Sequence, residues 1–434
     1  MKKERLTMIA VLMMLWTGIT CKADNLSDDY SGKADTLTKA LVSQFLNPAK
    51  GTFWAVPRDQ KDRNSKSRNV YWQQAHAMDA LIYSYERIKE KDPNTADKYK
   101  RYMGLWYENH ANNWYYDKND PTGFVNDYTD DMCWICLTLL HMSEALNDDK
   151  YADTAYKLFN DFIVPRGSTD ENGIWALPWK LNYDGRGACT NSPGSLVASK
   201  LYLKYNEERH KQTAIDLCNY MFTVMKKYDN DGRVEEPPLS YTQGTFGEAC
   251  RVLYHITGEE KYLNAAQKVI HFLCSNSRCT DRGLLRNEGQ SMDQSIFKAV
   301  AVPYIVNFIL DESTSKIYRK RFTTFLEKNA NTLWSKLKLE DYPRVFCPYY
   351  WGDVVDPTEV PSMGAMTSGV SLMENMARLA LAQKKNEATG ISIPKHKKKK
   401  MTGVYTLDGR KVQNTTFLAK GIYVVDNQKV MIRK

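Results

Sequence analysis

The sequence predicts an all-α fold, an (α/α)6 toroid or barrel of six helical hairpins, followed by a small C-terminal β-hairpin module. Three observations predict it: a weak long-period repeat, a second helix set of different composition between its copies, and no convincing strand pattern before residue 384. The repeat runs through "DKYKRYMGLW" at 97, "DKYADTAYKLF" at 149, "ERHKQTAIDLC" at 208, "EKYLNAAQKVI" at 260 and "SKIYRKRFTTFL" at 315. The aligned residues Tyr99, Tyr151, His210, Tyr262 and Tyr318 are separated by 52, 59, 52 and 56 positions. A period above about fifty accommodates two helices and two loops, so each unit is a helical hairpin.

The second set is expected at 69–90, 127–146, 191–206, 241–256, 292–311 and 364–383. Its segments, such as "GSLVASKLY" and "GTFGEACRVLY", mix apolar residues with Ala, Gly, Ser and Cys, the pattern of a helix buried on most sides. The repeat starts carry more charge, as helices with one wet face do. With 34–47 as a further outer helix, outer and inner helices alternate and close into a ring. In such a ring the inner helices run parallel, and the loops before them converge on one mouth. Those loops, 48–68, 111–126, 167–190, 229–240, 276–291 and 337–363, hold Trp54, Trp114, Tyr115, Tyr116, Trp175, Trp179, Tyr349, Tyr350 and Trp351. Aromatic faces above a polar floor suit sugar rings, whose C–H faces stack while their hydroxyls hydrogen-bond.

The ends of the chain differ from its body. Residues 1–23 read as a secretory signal peptide: a basic start, a short apolar run and "CKA" before Asp24. The apolar run falls short of the roughly 20 residues a membrane span requires, and "GITC" lacks the aliphatic residue expected three positions before a lipid-bearing cysteine. Residues 384–400 form a basic linker, and 401–434 alternate apolar and polar residues around Asp408-Gly409 and Asp426-Asn427, which reads as two β-hairpins. The net charge of +9 resides in these ends, +10 on 384–434 and +3 on 1–23, leaving −4 on the 24–383 body. A mildly acidic body argues against a nucleic-acid-binding face. Cys133 and Cys136 form a CxxC inside an apolar helical stripe and read as core, and the pairing of the cysteines is open. No histidine spacing points to a metal.

The body's candidate chemistry lies in "NDYTDDMCWICLTLLHM" at 126. Asp130 and Asp131 follow Thr129, a capping residue, so a structural role is available: carboxylates in a first helical turn gain about 0.3–1 kcal/mol each from the helix dipole. At mid-helix, neighbours diverge by about 100°. At the first turn, both lean toward the ring mouth, where the dipole favours the anion of one and repulsion keeps a proton on the other. That asymmetry is what acid–base glycoside chemistry needs.

"YTDDMCW" resembles the adjacent-aspartate motif of glycoside hydrolase family 76, the endo-α-1,6-mannanases. "YWQQAHAMDALI" at 71, "GIWALPWK" at 173, "TNSPGSLVASKLY" at 190, "SYTQGTFGEACRVLYHITGEEKYLNAA" at 240 and "FKAVAVPYI" at 297 are similar to that family's pattern in the same order, over roughly 34–383. The resemblance implies an (α/α)6 barrel and a retaining mechanism on α-1,6-linked mannose, with Asp130 as nucleophile and Asp131 as general acid/base. It makes Asn191, Tyr241 and Gln243 candidates for hydroxyl contacts, and Trp72, Tyr128, Trp175 and Trp351 candidates for the cleft walls. Thr242 stands where the family usually has Asn, and Ala299 where it has Gly after Phe-Lys. The C-terminal hairpins resemble the sorting domain of the type IX secretion pathway.

The expectation is therefore an exported, monomeric hydrolase of α-mannan. It is expected to need no metal or organic cofactor, to use secretion machinery through its C-terminal domain, and to reside in the periplasm, at the cell surface or outside a Gram-negative cell. Alternatives are a non-catalytic glycan-binding protein on the same toroid, or another toroid sugar enzyme. Of these, an epimerase calls for paired histidines where the inner-helix starts offer only His76, and an unsaturated uronyl hydrolase calls for a basic cleft.

Overall fold

Twelve helices alternate between an outer and an inner layer in the computed structural model, which describes residue 26, residues 28–63, 70–223, 231–356 and 358–388, and the backbone of 404–406, 421–425 and 428–432. The outer helices are α1 (28–45), α3 (Pro93–Glu108), α5 (Asp149–Leu158), α7 (Glu208–Thr223), α9 (Glu260–Ser275) and α11 (Lys316–Lys336). The inner ones are α2 (Trp72–Ile88), α4 (Thr129–Leu146), α6 (Ala188–Tyr205), α8 (Ser240–Thr257), α10 (Met292–Leu310) and α12 (Met363–Ala388). The predicted ring of hairpins is the observed architecture.

Local chemistry explains why three of the inner helices turn straight into the next outer one. α4 and α6 end on Asn147 and Asn206, and α8 on Gly258, all in the left-handed conformation that stops a helix while its N–H closes on the last turn. α3 begins with Pro93 at its first position and Asp92 accepting from the Thr95 N–H. Outer helices bury one face: α5 buries Tyr151, Ala152, Ala155 and Leu158. Inner α4 buries almost every residue, including Cys133 and Cys136, which are core as expected.

Neighbouring inner helices pack in sequence, α2 on α4, α4 on α6, α6 on α8 and α8 on α10. Small residues set their spacing. A Cβ on Gly244 of α8 would lie 2.9 Å from the Ala301 backbone of α10, so only glycine allows this approach. Short hydroxyls bridge the helices: Thr138 donates to the Ala75 carbonyl at 3.1 Å, and Ser368 and Ser371 of α12 donate to Ser295 and Ala299 of α10 at 2.8 and 3.0 Å. Glu374 of α12 completes the ring, accepting from Thr38 of α1 at 2.6 Å and from Arg87 of α2 at 2.7 Å. All eight described cysteines are free thiols; Cys218 and Cys250 lie 3.7 Å apart.

Among the described residues strands are confined to loops and the tail. β1 (Ser168–Thr169) pairs with β2 (Trp175–Ala176), and β3 (Thr280–Asp281) with β4 (Leu284–Leu285). The chain divides into residues 25–381 and a second unit holding the tail. In the tail β5 (Val404–Thr406), β6 (Gly421–Val425) and β7 (Gln428–Ile432) form one antiparallel sheet in the order β5-β6-β7. The hairpin expected around Asp426-Asn427 joins β6 to β7. β5 pairs with β6, whereas the partner expected for it after Asp408-Gly409 lies outside the described residues, as do the signal-like segment and the linker from 389 onward. No described helix is long and apolar enough to cross a membrane.

Candidate active site

The N-terminal ends of α2, α4, α8 and α10 and the loops before them surround a cavity of about 700 Å³. Asp130 and Asp131 line it from the first turn of α4. Thr129 is not the cap its sequence position predicts. It is already the first helical residue, and its N–H is taken by the Trp179 carbonyl at 2.8 Å. That bond is part of a short strand-like pairing in which Tyr128 bridges Lys180 and the Leu181 N–H reaches the Asp127 carbonyl at 2.8 Å. The pairing sets the Trp179 indole over the helix start, and its Nε1–H donates to Asp130 Oδ2 at 3.1 Å. Asp130 Oδ1 is buried with no partner among the described residues.

The two carboxyls differ electrostatically. Burial pushes Asp130 up to about 7, opposed by the nearby Asp131 N–H, the Trp179 indole hydrogen bond and its own N–H, with the nearby Asp293 charge adding to the rise. Asp131 has no such donors. Burial, then the Asp130 and Asp293 charges, hold it well above the usual carboxylate range. Of the two, Asp130 is the more readily ionised and Asp131 the one that holds its proton.

Asp293 is the residue the sequence reading missed. It sits in the first turn of α10, where Ser291 caps the helix by accepting from the Gln294 N–H at 3.1 Å. Its Oδ1 accepts from Trp72 Nε1 at 2.9 Å and Gln73 Nε2 at 2.5 Å. An acidic residue just after a capping serine, at the start of an inner helix, was the available signal. Asn126, also missed, is a buried lining residue whose Nδ2 has no partner among the described residues.

The residues expected at hydroxyl contacts and in the cleft walls divide. Trp72, Tyr128 and Tyr241 line the cavity together with Trp114, Tyr115, Trp134, Trp179 and Phe297. Tyr241 stacks on Phe297 with ring centroids 4.2 Å apart, and Tyr128 meets Trp179 edge-on at 5.1 Å. Four others are corrected. Asn191 is fully buried three residues into α6, which starts at Ala188 rather than 191; it brackets the Leu177 backbone, accepting from its N–H at 2.9 Å and donating to its carbonyl at 3.2 Å. Gln243 is equally buried and latches the preceding loop, accepting from the Val234 N–H and donating to the Gly232 carbonyl. Trp351 is fully buried beneath the Lys298 ammonium. Trp175, on β2, packs against Gly167, where any Cβ would strike its indole. All four hold loops in place; none lines the cavity.

His76 lies below this floor, in edge contact with Trp72 and Trp134, and burial lowers it to about 4, so it stays neutral. Among the described residues no group of three or more His, Cys, Asp or Glu side chains has the arrangement of a metal site.

Comparison with known proteins agrees with this architecture. No curated protein sequence matches the chain. Among solved structures, an α-1,6-mannanase of Salegentibacter sp. HEL1_6 is 25% identical with a TM-score of 0.68, covering 81% of this chain and 99% of that one. Its inactive variant, with two consecutive aspartates replaced by alanine and α-1,6-mannotetrose bound, gives the same TM-score and coverage at 24% identity. A family 76 mannosidase of Bacteroides thetaiotaomicron is 16% identical with a TM-score of 0.63, covering 82% of this chain and 100% of that one. The sequence profile of glycosyl hydrolase family 76 matches residues 30–389, from α1 through the last inner helix, so the chain belongs to that family of glycosidases.

Proposed function

We propose that this glycosidase hydrolyses α-1,6-mannosidic linkages in mannan by a retaining double displacement. The observation that carries the reading is the pair Asp130 and Asp131, half-buried side by side in one cavity wall with unequal hydrogen bonding. Asp130, the carboxylate that the Trp179 indole hydrogen-bonds, attacks the anomeric carbon as the C–O bond to the leaving chain breaks, and the Asp131 proton goes to the departing oxygen. Asp131, now anionic, takes a proton from water, whose oxygen displaces Asp130 and frees the sugar with its configuration retained. Positive charge developing on the ring faces three carboxylates, with Asp293 the third. Aromatic rings at Trp72, Tyr128, Trp179 and Tyr241 supply stacking faces, and the unpartnered Asn126 amide supplies a donor for a hydroxyl. The α-1,6 linkage is inferred from the mannanase neighbours, one of which is inactive without its two consecutive aspartates.

Proton NMR of the first product formed from α-1,6-mannan decides the stereochemistry: an α-anomer at early times supports the double displacement, and an initial β-anomer rejects it. Export is proposed on the signal-like start and the three-stranded tail. Detection of the mature chain, beginning near Asp24, outside the cytoplasm would support that; an intact N-terminus in the cytosol would reject it.

A further inference from the structure

The catalytic cavity is not isolated. Asp293 and Phe297 also line a second hollow of about 600 Å³, bounded by residues 237–239, and Arg286 on its far side lines a third of about 730 Å³. The three hollows are therefore neighbours, in an order that leads away from the acid pair. The far hollow is lined by Ser277, Arg282, Arg286, Asn287, Tyr350 and Asp353, among others, and offers hydrogen-bonding groups in place of large aromatic faces.

Its side chains are positioned but not saturated. The Tyr350 hydroxyl donates to the Asp281 carbonyl at 2.8 Å, and Arg282 lies over the Tyr350 ring at 4.9 Å. Arg286 donates from Nη1 to the Arg278 carbonyl at 2.8 Å and has no carboxylate partner among the described residues. Asn287 uses only its Oδ1, accepting from the Gly289 N–H at 3.0 Å. The Ser277 hydroxyl and the Asp353 carboxylate are exposed and make no side-chain hydrogen bond to another described residue. Charge is balanced: Arg282 pairs with Asp281 at 3.2 Å, and Asp353 offsets Arg286. Such a hollow selects neither an anion nor a cation. It suits a neutral polyol, whose hydroxyls both donate and accept.

We propose that this far hollow is a distal subsite for a neutral hexose unit of the polysaccharide, several units from the bond that is cut. The inference rests on the mannan reading. It makes affinity depend on chain length: short oligosaccharides that fill only the catalytic cavity gain nothing from Arg286 and Asn287, while longer ones reach them.

The test uses the full chain with Asp131→Asn, so that ligand survives, and titrates α-1,6-mannooligosaccharides of increasing length by calorimetry, with and without Arg286→Ala plus Asn287→Ala. The expected result is a Kd raised about tenfold or more for the longest oligosaccharides and unchanged for the shortest that bind. Equal affinities at every length overturn the subsite. So does an equal loss at every length, which would mean the loop supports the cavity rather than a distant sugar. Hydrolysis by the wild-type chain is measured in parallel: no cleavage of α-1,6-mannan of any length rejects the mannan reading itself, a result distinct from cleavage without length-dependent binding.

Discussion

The two mouths of the ring handle charge in opposite ways. At the N-terminal ends of the inner helices, Asp130 and Asp131 are half-buried with no ion-pair partner among the described residues, and both are shifted upward. Toward the C-terminal ends, the acidic groups are paired. Arg87 binds Glu374 and Asp35, each at 2.7 Å. Arg251 joins Glu248 to Asp311, which His255 also contacts at 2.6 Å. His141 contacts Asp79 at 3.0 Å and Glu86 at 3.3 Å. Burial alone would raise Asp311, yet hydrogen bonds from Ser313, His255 and Arg251 bring it down to about 2. The same barrel therefore spends stability at one end to keep reactive carboxyls unneutralised, and recovers it at the other through satisfied pairs.

The largest expected effect tests the unpaired mouth. Asp131→Asn and Asp130→Asn each lower kcat on α-1,6-mannan by about a thousandfold or more while the fold is retained. Near-normal turnover by either variant would end the catalytic reading and leave helix-end stabilisation as the role of the pair.

At the paired mouth the expectation reverses. Glu374→Ala leaves the Arg87 guanidinium partly buried without its main partner and lowers unfolding stability by about 3 kcal/mol, read by urea denaturation, while kcat changes little. A large loss of kcat in a variant that remains folded under assay conditions would show that the mouths are coupled.

Stability against pH separates the carboxylates of the two ends by sign. Asp130 and Asp131 bind protons more tightly folded than unfolded, so their contribution falls as pH rises from about 4, through about 7 for Asp130. Asp311 is depressed, so its contribution is present above about 4 and is lost as pH falls toward about 2. For His141 burial lowers the pKa, but Asp79 and Glu86 outweigh it and raise it to about 9. Its contribution is full below about 6.5 and lost as pH rises through 9. In thermal melts, Asp131→Asn is expected to gain on wild type toward alkaline pH. His141→Gln is expected to flatten the decline between about 6.5 and 9. The opposite slopes would overturn the assignment of paired and unpaired ends.

The smallest effect is the most local. Trp179→Phe keeps an aromatic face but removes the donor to Asp130 Oδ2, so Asp130 holds its proton to higher pH. The acidic limb of kcat/KM, expected near pH 7 for the free enzyme, should move upward, with a several-fold loss at pH 6 that largely recovers at pH 8. A pH-independent loss would assign Trp179 to stacking alone.

How much of this was legible follows from the range of the interactions. The ring could be read because alternation of wet and dry helices is periodic, and Asn147 and Asn206 stop helices by their own local preferences. Asp130 and Asp131 could be read because adjacency is itself a sequence property. Asn191, Gln243 and Trp351 could not, since a polar or aromatic residue near an inner-helix start is equally able to face the cavity or anchor a loop. Asp293 was hidden for the converse reason, since its neighbours Trp72 and Gln73 lie more than two hundred residues away.

The sequence by itself determined the hairpin repeat, the parallel inner layer and the presence of two acids at one helix start, because periodicity, capping and adjacency act within a few residues. Only the tertiary structure decided which acid keeps its proton, which aromatics form the wall and which hollows neighbour the cavity. Those depend on burial and on donors brought from distant segments: the Trp179 indole arrives from a loop some fifty residues beyond Asp130, and Asp293 from the far side of the ring.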